Sequence, residues 1–245
     1  MFLTPRWLAS HLFAATLIVA FIGAGFWQVD RLGQRQETNE RIEARLALPV
    51  EGVSSLAGLA ADDVEFRPLL ITGEFDDVRR ILVANRSDEG SPGFWDWTVF
   101  AHDDGEVIVN RGFVPRAFVV DEGHAPVPPS RPVTLEGVAR VGLDSGKLSV
   151  RGGEVSRPNA VLAAEQLELT ATLPANVYVQ LLAQDPMVEP GDPRPVPIPE
   201  LSDGPHRSYA FQWFTFATIG LVGYAAVLLR IRRGDQSRGD VPHAV

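Results

Sequence analysis

Two long apolar runs bracket a chain whose middle alternates between apolar and polar positions. "WLASHLFAATLIVAFIGAGFWQV", residues 7–29, carries no formal charge with His11 neutral, and "SYAFQWFTFATIGLVGYAAVLL", residues 208–229, carries none at all. A helix crosses the hydrocarbon of a bilayer in about 20 residues, so each run predicts a transmembrane helix. The first is longer than the usual apolar segment of a signal peptide, about 7 to 15 residues, and no A-x-A cleavage site follows it. The second runs into the basic stop "RIRR", unlike the buried core helix of a soluble domain. Trp7, Trp27 and Trp213 lie near the ends of the runs, where interfacial indoles belong.

Residues 31–205 lie between the spans. "DRLGQRQETNERIEARLA" extends the first span as a polar helix, with Glu37 and Arg41 at i, i+4. The period then changes. "FRPLLITGEF", "RRILVANR", "WDWTVFAH", "EVIVNRGFV", "RPVTLEGVARV" and "NVYVQLLAQ" are short, rich in β-branched and aromatic residues and separated by Gly, Pro and Asp, which predicts strands. The Asp-Gly step in "HDDGEV" predicts a hairpin between two of them, and "AVLAAEQLEL" a short helix. The six prolines of "DPMVEPGDPRPVPIPE" preclude a regular helix or central strand, so residues 186–199 should form an extended tether. The expected fold is a membrane protein: two transmembrane helices forming a hairpin, with an inserted antiparallel β-rich (α+β) domain and a basic tail over residues 230–245.

Charge refines this picture. The middle segment is strongly acidic within a chain of net charge −9, so nucleic acid is an unfavourable partner. The chain has no cysteine, which excludes disulfides, thiolate metal sites and C-x-x-C redox chemistry. Arg230, Arg232, Arg233 and Arg238 favour a cytoplasmic C-terminus, while Arg31, Arg35, Arg41 and Arg45 argue the other way. Long domains escape the charge bias, so the short tail carries more weight. Both termini are expected in the cytoplasm and the middle domain outside it.

Few catalytic patterns survive inspection. "GLDSGKL" imitates a phosphate loop, but three residues rather than four separate Gly142 from Gly146, and Leu148 replaces the hydroxyl residue. "NRS" at Asn85 is a weak glycosylation pattern. No nucleophile elbow or H-E-x-x-H occurs, and the histidines at 11, 102, 124, 206 and 243 share no ligand spacing. "ILVANR" and "VIVNRG" both end a strand with Asn-Arg; Asn110, Arg111 and Gly112 read as a strand-end turn with Gly112 at positive φ and Arg111 in an ion pair. Two clusters remain at the span ends. Trp27 and Arg31 stand at i, i+4 with Gln28 within the same turn, and His206, Tyr209 and Trp213 form one helical stripe. If the spans pack together, these five side chains would surround an apolar slot. The structural alternatives are a headgroup-reaching Arg31 and a His206 that merely opens a helix, with Ser202 or Asp203 as cap and Pro205 in the first turn.

"GFWQVDR", "GEF" with "LVANR", "GEVIVNRGFVP" and "HRSYAFQW", in the order span, β-rich domain, Pro-rich tether, span, resemble the surfeit locus one family over residues 23–230. The chain departs from that pattern at Phe113, where tryptophan is frequent, and at Gly204 and Pro205, where asparagines are common. The resemblance implies a non-enzymatic assembly factor for cytochrome c oxidase in the bacterial plasma membrane. It implies haem a as transient cargo, delivered toward the large catalytic subunit, with that subunit and haem a synthase as partners. A farnesylated haem needs an imidazole for iron, cations for propionates and an apolar bed for its tail. His206 is then the metal ligand, and Tyr209, Trp213, Trp27 and Arg31 complete the binding site. The competing readings are a cofactor-free adaptor that scaffolds a respiratory complex and an anchored extracytoplasmic enzyme.

Overall fold

The computed structural model describes residues 4–122, 126–142, 150, 151, 154, 155, 163–165, 167–170, 172–174, 176–187 and 193–239. "GLDSGKL" beyond Gly142, His124, His243 and parts of "AVLAAEQLEL" and of the tether lie outside them; residues 163–165 of the expected short helix are helical. The chain divides into two compact units, residues 1–41 with 200–245, and residues 42–199.

The first unit is a helical hairpin. Helix α1 (Pro5–Leu46) carries the apolar run straight into its polar extension, since no proline interrupts it after the first turn, where the missing N–H costs nothing. The last helix, residues His206–Gly239, follows Gly204, at φ 65°, and Pro205; the Tyr209 N–H bonds the Pro205 carbonyl at 3.1 Å. Both helices are long and apolar enough to cross a membrane, and only 11% and 6% of their apolar windows are buried. They run antiparallel: His11 meets Tyr224, Phe21 meets Trp213, the Phe214 ring covers Gly25, and Gln28 meets His206. Gly25 is needed there, because a Cβ would stand 2.7 Å from the Phe214 ring. Small residues let membrane helices approach in this way.

The second unit is built on an antiparallel-rich sheet. Its strands are β1 (Pro68–Asp88), β2 (Ser91–His102), β3 (Gly105–Pro115), β4 (Val133–Val141), β5 (Val150–Arg151), β6 (Glu154–Val155) and β7 (Val177–Asp185). Besides the 3-10 turn at Val53–Leu56 and the helical residues 163–165, this unit has α2 (Ala61–Val64) and α3 (Arg116–Glu122) among the described residues, and His206–Gly239 is helix α4. Among the described residues the order β2-β3-β7-β4-β1, with an added β1–β2 pairing, closes five strands into a ring. Closure removes the open edges that would otherwise invite foreign strands. Gly73 marks the corner, paired with Val133 of β4 on one side and His102 of β2 on the other. The β2–β3 hairpin forms as expected, with Gly105 at φ 130° just after the turn.

One expectation is corrected. "FRPLLITGEF" and "RRILVANR" are not two strands but the two halves of β1, with a bulge between Phe75 and Arg80. The Asp-Asp pair reads as a break because aspartate is depleted in strands. Here the Asp76 carboxylate accepts the N–H groups of Val78 and Arg79 at 2.9 and 3.0 Å, and the Arg79 guanidinium bridges Asp76 to Glu106 on β3. The loose backbone is thus satisfied and the strand bends rather than ends.

The strands alternate between two apolar clusters. Leu69, Phe75, Phe100, Val109, Leu135 and Val179 belong to one, which draws on all five ring strands and therefore fills the barrel; Val53, Leu56 and Val64, from the segment before β1, join it. Ile81, Trp97, Ile108 and Tyr178 point the other way and pack on Ala163, Ala164 and Leu167. The described end of the Pro-rich segment runs extended along the barrel: Arg194 exchanges two backbone hydrogen bonds with Phe113 at 2.7 and 2.9 Å, and the Gln180 amide donates to the Val196 carbonyl at 2.8 Å. Gly112, at φ 136°, lies directly under the Arg194 carbonyl, where a side chain would collide.

Candidate functional site

The five residues singled out at the helix ends divide between two faces. Successive residues of a helix point about 100° apart, so Trp27 and Gln28 cannot both face α4. Gln28 does, at 8% exposure, while Trp27 is 53% exposed. The Arg31 guanidinium lies 5.5 Å from the Trp27 ring centre and donates to Gln34 Oε1 at 2.8 Å. Gln34 in turn donates to Asp30 at 2.8 Å. Trp27 and Arg31 therefore meet each other on the outer face, as their spacing suggests.

On α4 the stripe separates. His206 Nδ1 lies 2.8 Å from Gln28 Oε1. Trp213 packs at 5.7 Å on Phe21 and at 6.0 Å on Phe216. Tyr209 is 46% exposed. The residue of α1 that reaches the histidine is thus Gln28, not Arg31. The segment before His206 is also fastened to α1: Gln36 Nε2 donates to the Asp203 carboxylate at 3.0 Å and Arg35 Nε to the Ser202 carbonyl at 3.1 Å. Ser202 and Asp203, the candidate caps, thus bind α1. Gln28, Arg35 and Gln36 recur at i, i+7, i+8, one polar line on one helix face. That spacing marks one polar face of α1, and the structure turns this face toward α4 and brings Gln28 to His206.

Farther along the hairpin, Ala9, Phe13, Leu17, Gly220, Gly223 and Tyr224 border an apolar groove of about 640 Å³. Small, aliphatic and aromatic side chains line it. Gly204 matters at the other end. A Cβ there would make ordinary van der Waals contact with His206, 3.5 Å from Cδ2 and 3.8 Å from Nε2, so Gly204 borders this edge of the imidazole without a side chain while Gln28 holds the opposite nitrogen.

A second polar cluster lies inside the barrel. Asp96, fully buried, accepts from Arg80 at 2.7 Å, Arg111 at 3.0 Å and the Thr98 hydroxyl at 3.0 Å. Both guanidiniums also donate to the Pro126 carbonyl, at 3.0 and 3.1 Å, and Arg111 lies over the Phe75 ring. Arg111 is in an ion pair and Gly112 is at positive φ, but the site is not a strand end. Asn110–Gly112 forms a bulge within β3, its spare N–H capped by the Asn110 side chain at 3.2 Å. The echo at "ILVANR" is a bulge as well: register shifts between Val83 and Arg86, Asn85 has φ 60°, and Arg86 stacks 4.3 Å over Trp95. Both pairs turn a strand and are held by the guanidinium. The Asp96 charge is thus compensated where it is buried, by three donors.

Electrostatic perturbation is concentrated in the barrel. Arg79 beside them holds the carboxyls of Asp76 and Glu106 below the usual range. Burial lowers His102 despite Asp103 and Asp104 nearby, and burial raises the Tyr178 phenol. Among the described residues no three His, Cys, Asp or Glu side chains converge as a metal cluster.

Comparison with known proteins adds the following. The SURF1 family model matches residues 15–218. An uncharacterized SURF1-like protein of Mycobacterium tuberculosis is 29% identical over 259 residues, covering 98% of this chain and 91% of the relative. A SURF1-like protein of Monosiga brevicollis is 34% identical over 137 residues, 51% of this chain and 52% of that one. The cytochrome oxidase assembly protein SHY1 of Saccharomyces cerevisiae is 30% identical over 106 residues, 42% of this chain and 27% of the yeast protein.

Proposed function

The chain belongs to the SURF1 family, and from that membership we propose that it is a membrane-anchored, non-enzymatic factor in the assembly of cytochrome c oxidase, with haem a as its transient cargo. The assembly role rests on the yeast relative, whose name is that of an oxidase assembly protein. The cargo role is supported by one observation: His206 is held through Nδ1 by a buried glutamine, and Gly204 borders the Nε2 edge without a side chain. A bare metal ion would need several converging ligands. A haem iron brings four ring nitrogens of its own and needs only an axial imidazole.

The residues present offer the separate parts of such a site, with Trp27 and Arg31 on the outer face of α1 and His206 on the inner one. His206 supplies the nitrogen, the exposed guanidinium of Arg31 is available to a carboxylate from the Trp27 face, and the apolar groove between α1 and α4 suits an isoprenoid tail. Bound haem a would supply a redox iron to the recipient; the chain itself only binds, orients and releases. In this reading α1 and α4 cross the plasma membrane, the barrel lies outside the cytoplasm, and the large oxidase subunit and haem a synthase are the contacts. Protease added to spheroplasts should cut between Leu46 and Pro199 and spare both ends; cleavage in "GDQSRGD" would reverse the orientation.

Deleting the gene tests the assembly role. Assembled oxidase, read from its haem a absorbance in membranes, should fall and return with the wild-type chain, and should return less fully with Arg31→Gln. An unchanged oxidase level in the deletion strain would refute the proposal. The same Gln28–His206 bond also favours a second reading, in which the pair is only a clasp between helices and the chain a cofactor-free adaptor.

A further inference from the structure

We infer that Gln28 is the positioning residue for His206: its side-chain carbonyl accepts the Nδ1 proton, which fixes the imidazole tautomer whose lone pair sits on Nε2 and presents that nitrogen as the ligand. This rests on the haem reading above and goes beyond it by naming the nitrogen and the group that selects it.

The geometry carries the assignment. A neutral imidazole has one N–H and one lone pair, and the partner of one nitrogen decides the role of the other. Gln28 Oε1, an acceptor only, is 2.8 Å from Nδ1, so the proton resides on Nδ1 and the lone pair on Nε2. Gln28 is 8% exposed at the end of an apolar helical run, where water offers the ring little competition. One turn earlier, Gly25 lets the Phe214 ring and its helix close on α1, which brings Gln28 within reach. The Gln36–Asp203 and Arg35–Ser202 bonds fix the backbone entering His206. The ring is therefore oriented from its backbone and from its far nitrogen, and Gly204 adjoins the nitrogen left free. Partners of this kind orient metal-bound histidines and raise their basicity.

The test uses the full chain in lipid nanodiscs, labelled with [15N]histidine, with the His206 resonances identified by their loss in His206→Ala. Nitrogen shifts at a pH where imidazole is neutral should show His206 as the Nδ1–H tautomer. In Gln28→Leu the Nε2–H tautomer, which unconstrained imidazole favours, should gain population, and in Gln28→Glu, which keeps an acceptor, the Nδ1–H form should persist. Hemin titrated into the same samples should bind about 10- to 100-fold more weakly to Gln28→Leu than to the wild type, with Gln28→Glu close to wild type. An Nε2–H tautomer in the wild type overturns the inference, as does a Gln28→Leu protein with unchanged tautomer and unchanged hemin affinity. A wild-type Nδ1–H tautomer with no hemin binding supports the assignment made to Gln28 and removes the haem reading alone.

Discussion

The hairpin and the barrel bury opposite kinds of side chain. The β-rich unit buries Asp96, Thr98, Asn110, Arg111 and Gln180 and turns few large apolar groups outward. The hairpin encloses the polar Gln28 and presents Leu12, Phe13, Phe211 and Val222 on its outside. A protein surface in water retains many apolar atoms but rarely so continuous an apolar face. The difference is the one that the proposed membrane placement requires. The barrel supplies its buried charges with partners, while the hairpin turns apolar side chains outward and keeps the Gln28–His206 contact between its helices.

The contrast breaks most severely at Asp96. Asp96→Ala leaves Arg80 and Arg111 without their shared carboxylate, and losing one member of a buried charge cluster costs about 3 to 5 kcal/mol. Thermal unfolding should show a destabilised barrel, with the apolar face of the hairpin unaffected. Phe13→Arg attacks the other side. A charge at mid-span opposes insertion by about 2.5 to 3.5 kcal/mol, so the membrane-inserted fraction should fall while the barrel keeps its protease resistance. Gly25→Leu should follow. Overpacking costs about 1 to 3 kcal/mol, and engineered cross-links between α1 and α4 should form less readily.

The smallest effect concerns pH. Asp76 and Glu106 titrate below their ordinary range in the folded barrel because Arg79 binds their charged forms. Their contribution is complete above the unfolded values, about 4, and disappears as pH falls through the lower folded ones. Acid unfolding of Arg79→Met should therefore begin at higher pH and show a shallower dependence below about 4.

Much of this architecture was legible in the sequence because hydropathy reports local environment. The uncharged runs forecast α1 and α4, and alternation marked the segments of β1, β2, β3, β4 and β7. Ring closure was not legible: it depends on Gly73 pairing with both His102 and Val133, a relation between distant residues that no local pattern encodes. Asp76 and Asp77 looked like a break because propensity omits the side-chain bonds that satisfy a bulge. The two Asn-Arg pairs were visible as an echo, but the echo marks backbone geometry. At the candidate site the Trp27–Arg31 contact was legible from its i, i+4 spacing, but the stripe of His206, Tyr209 and Trp213 divides among different neighbours. Which α1 residue meets His206 was not legible, because it depends on the rotation of one helix against the other.

The most direct test is the absorption spectrum of the full chain purified from cells that make haem a. The account predicts a haem a spectrum for the wild-type protein and its loss in His206→Ala at equal yield and equal membrane insertion. A colourless wild-type protein, or a His206→Ala protein that keeps the same haem, would contradict it and leave the cofactor-free adaptor as the better description.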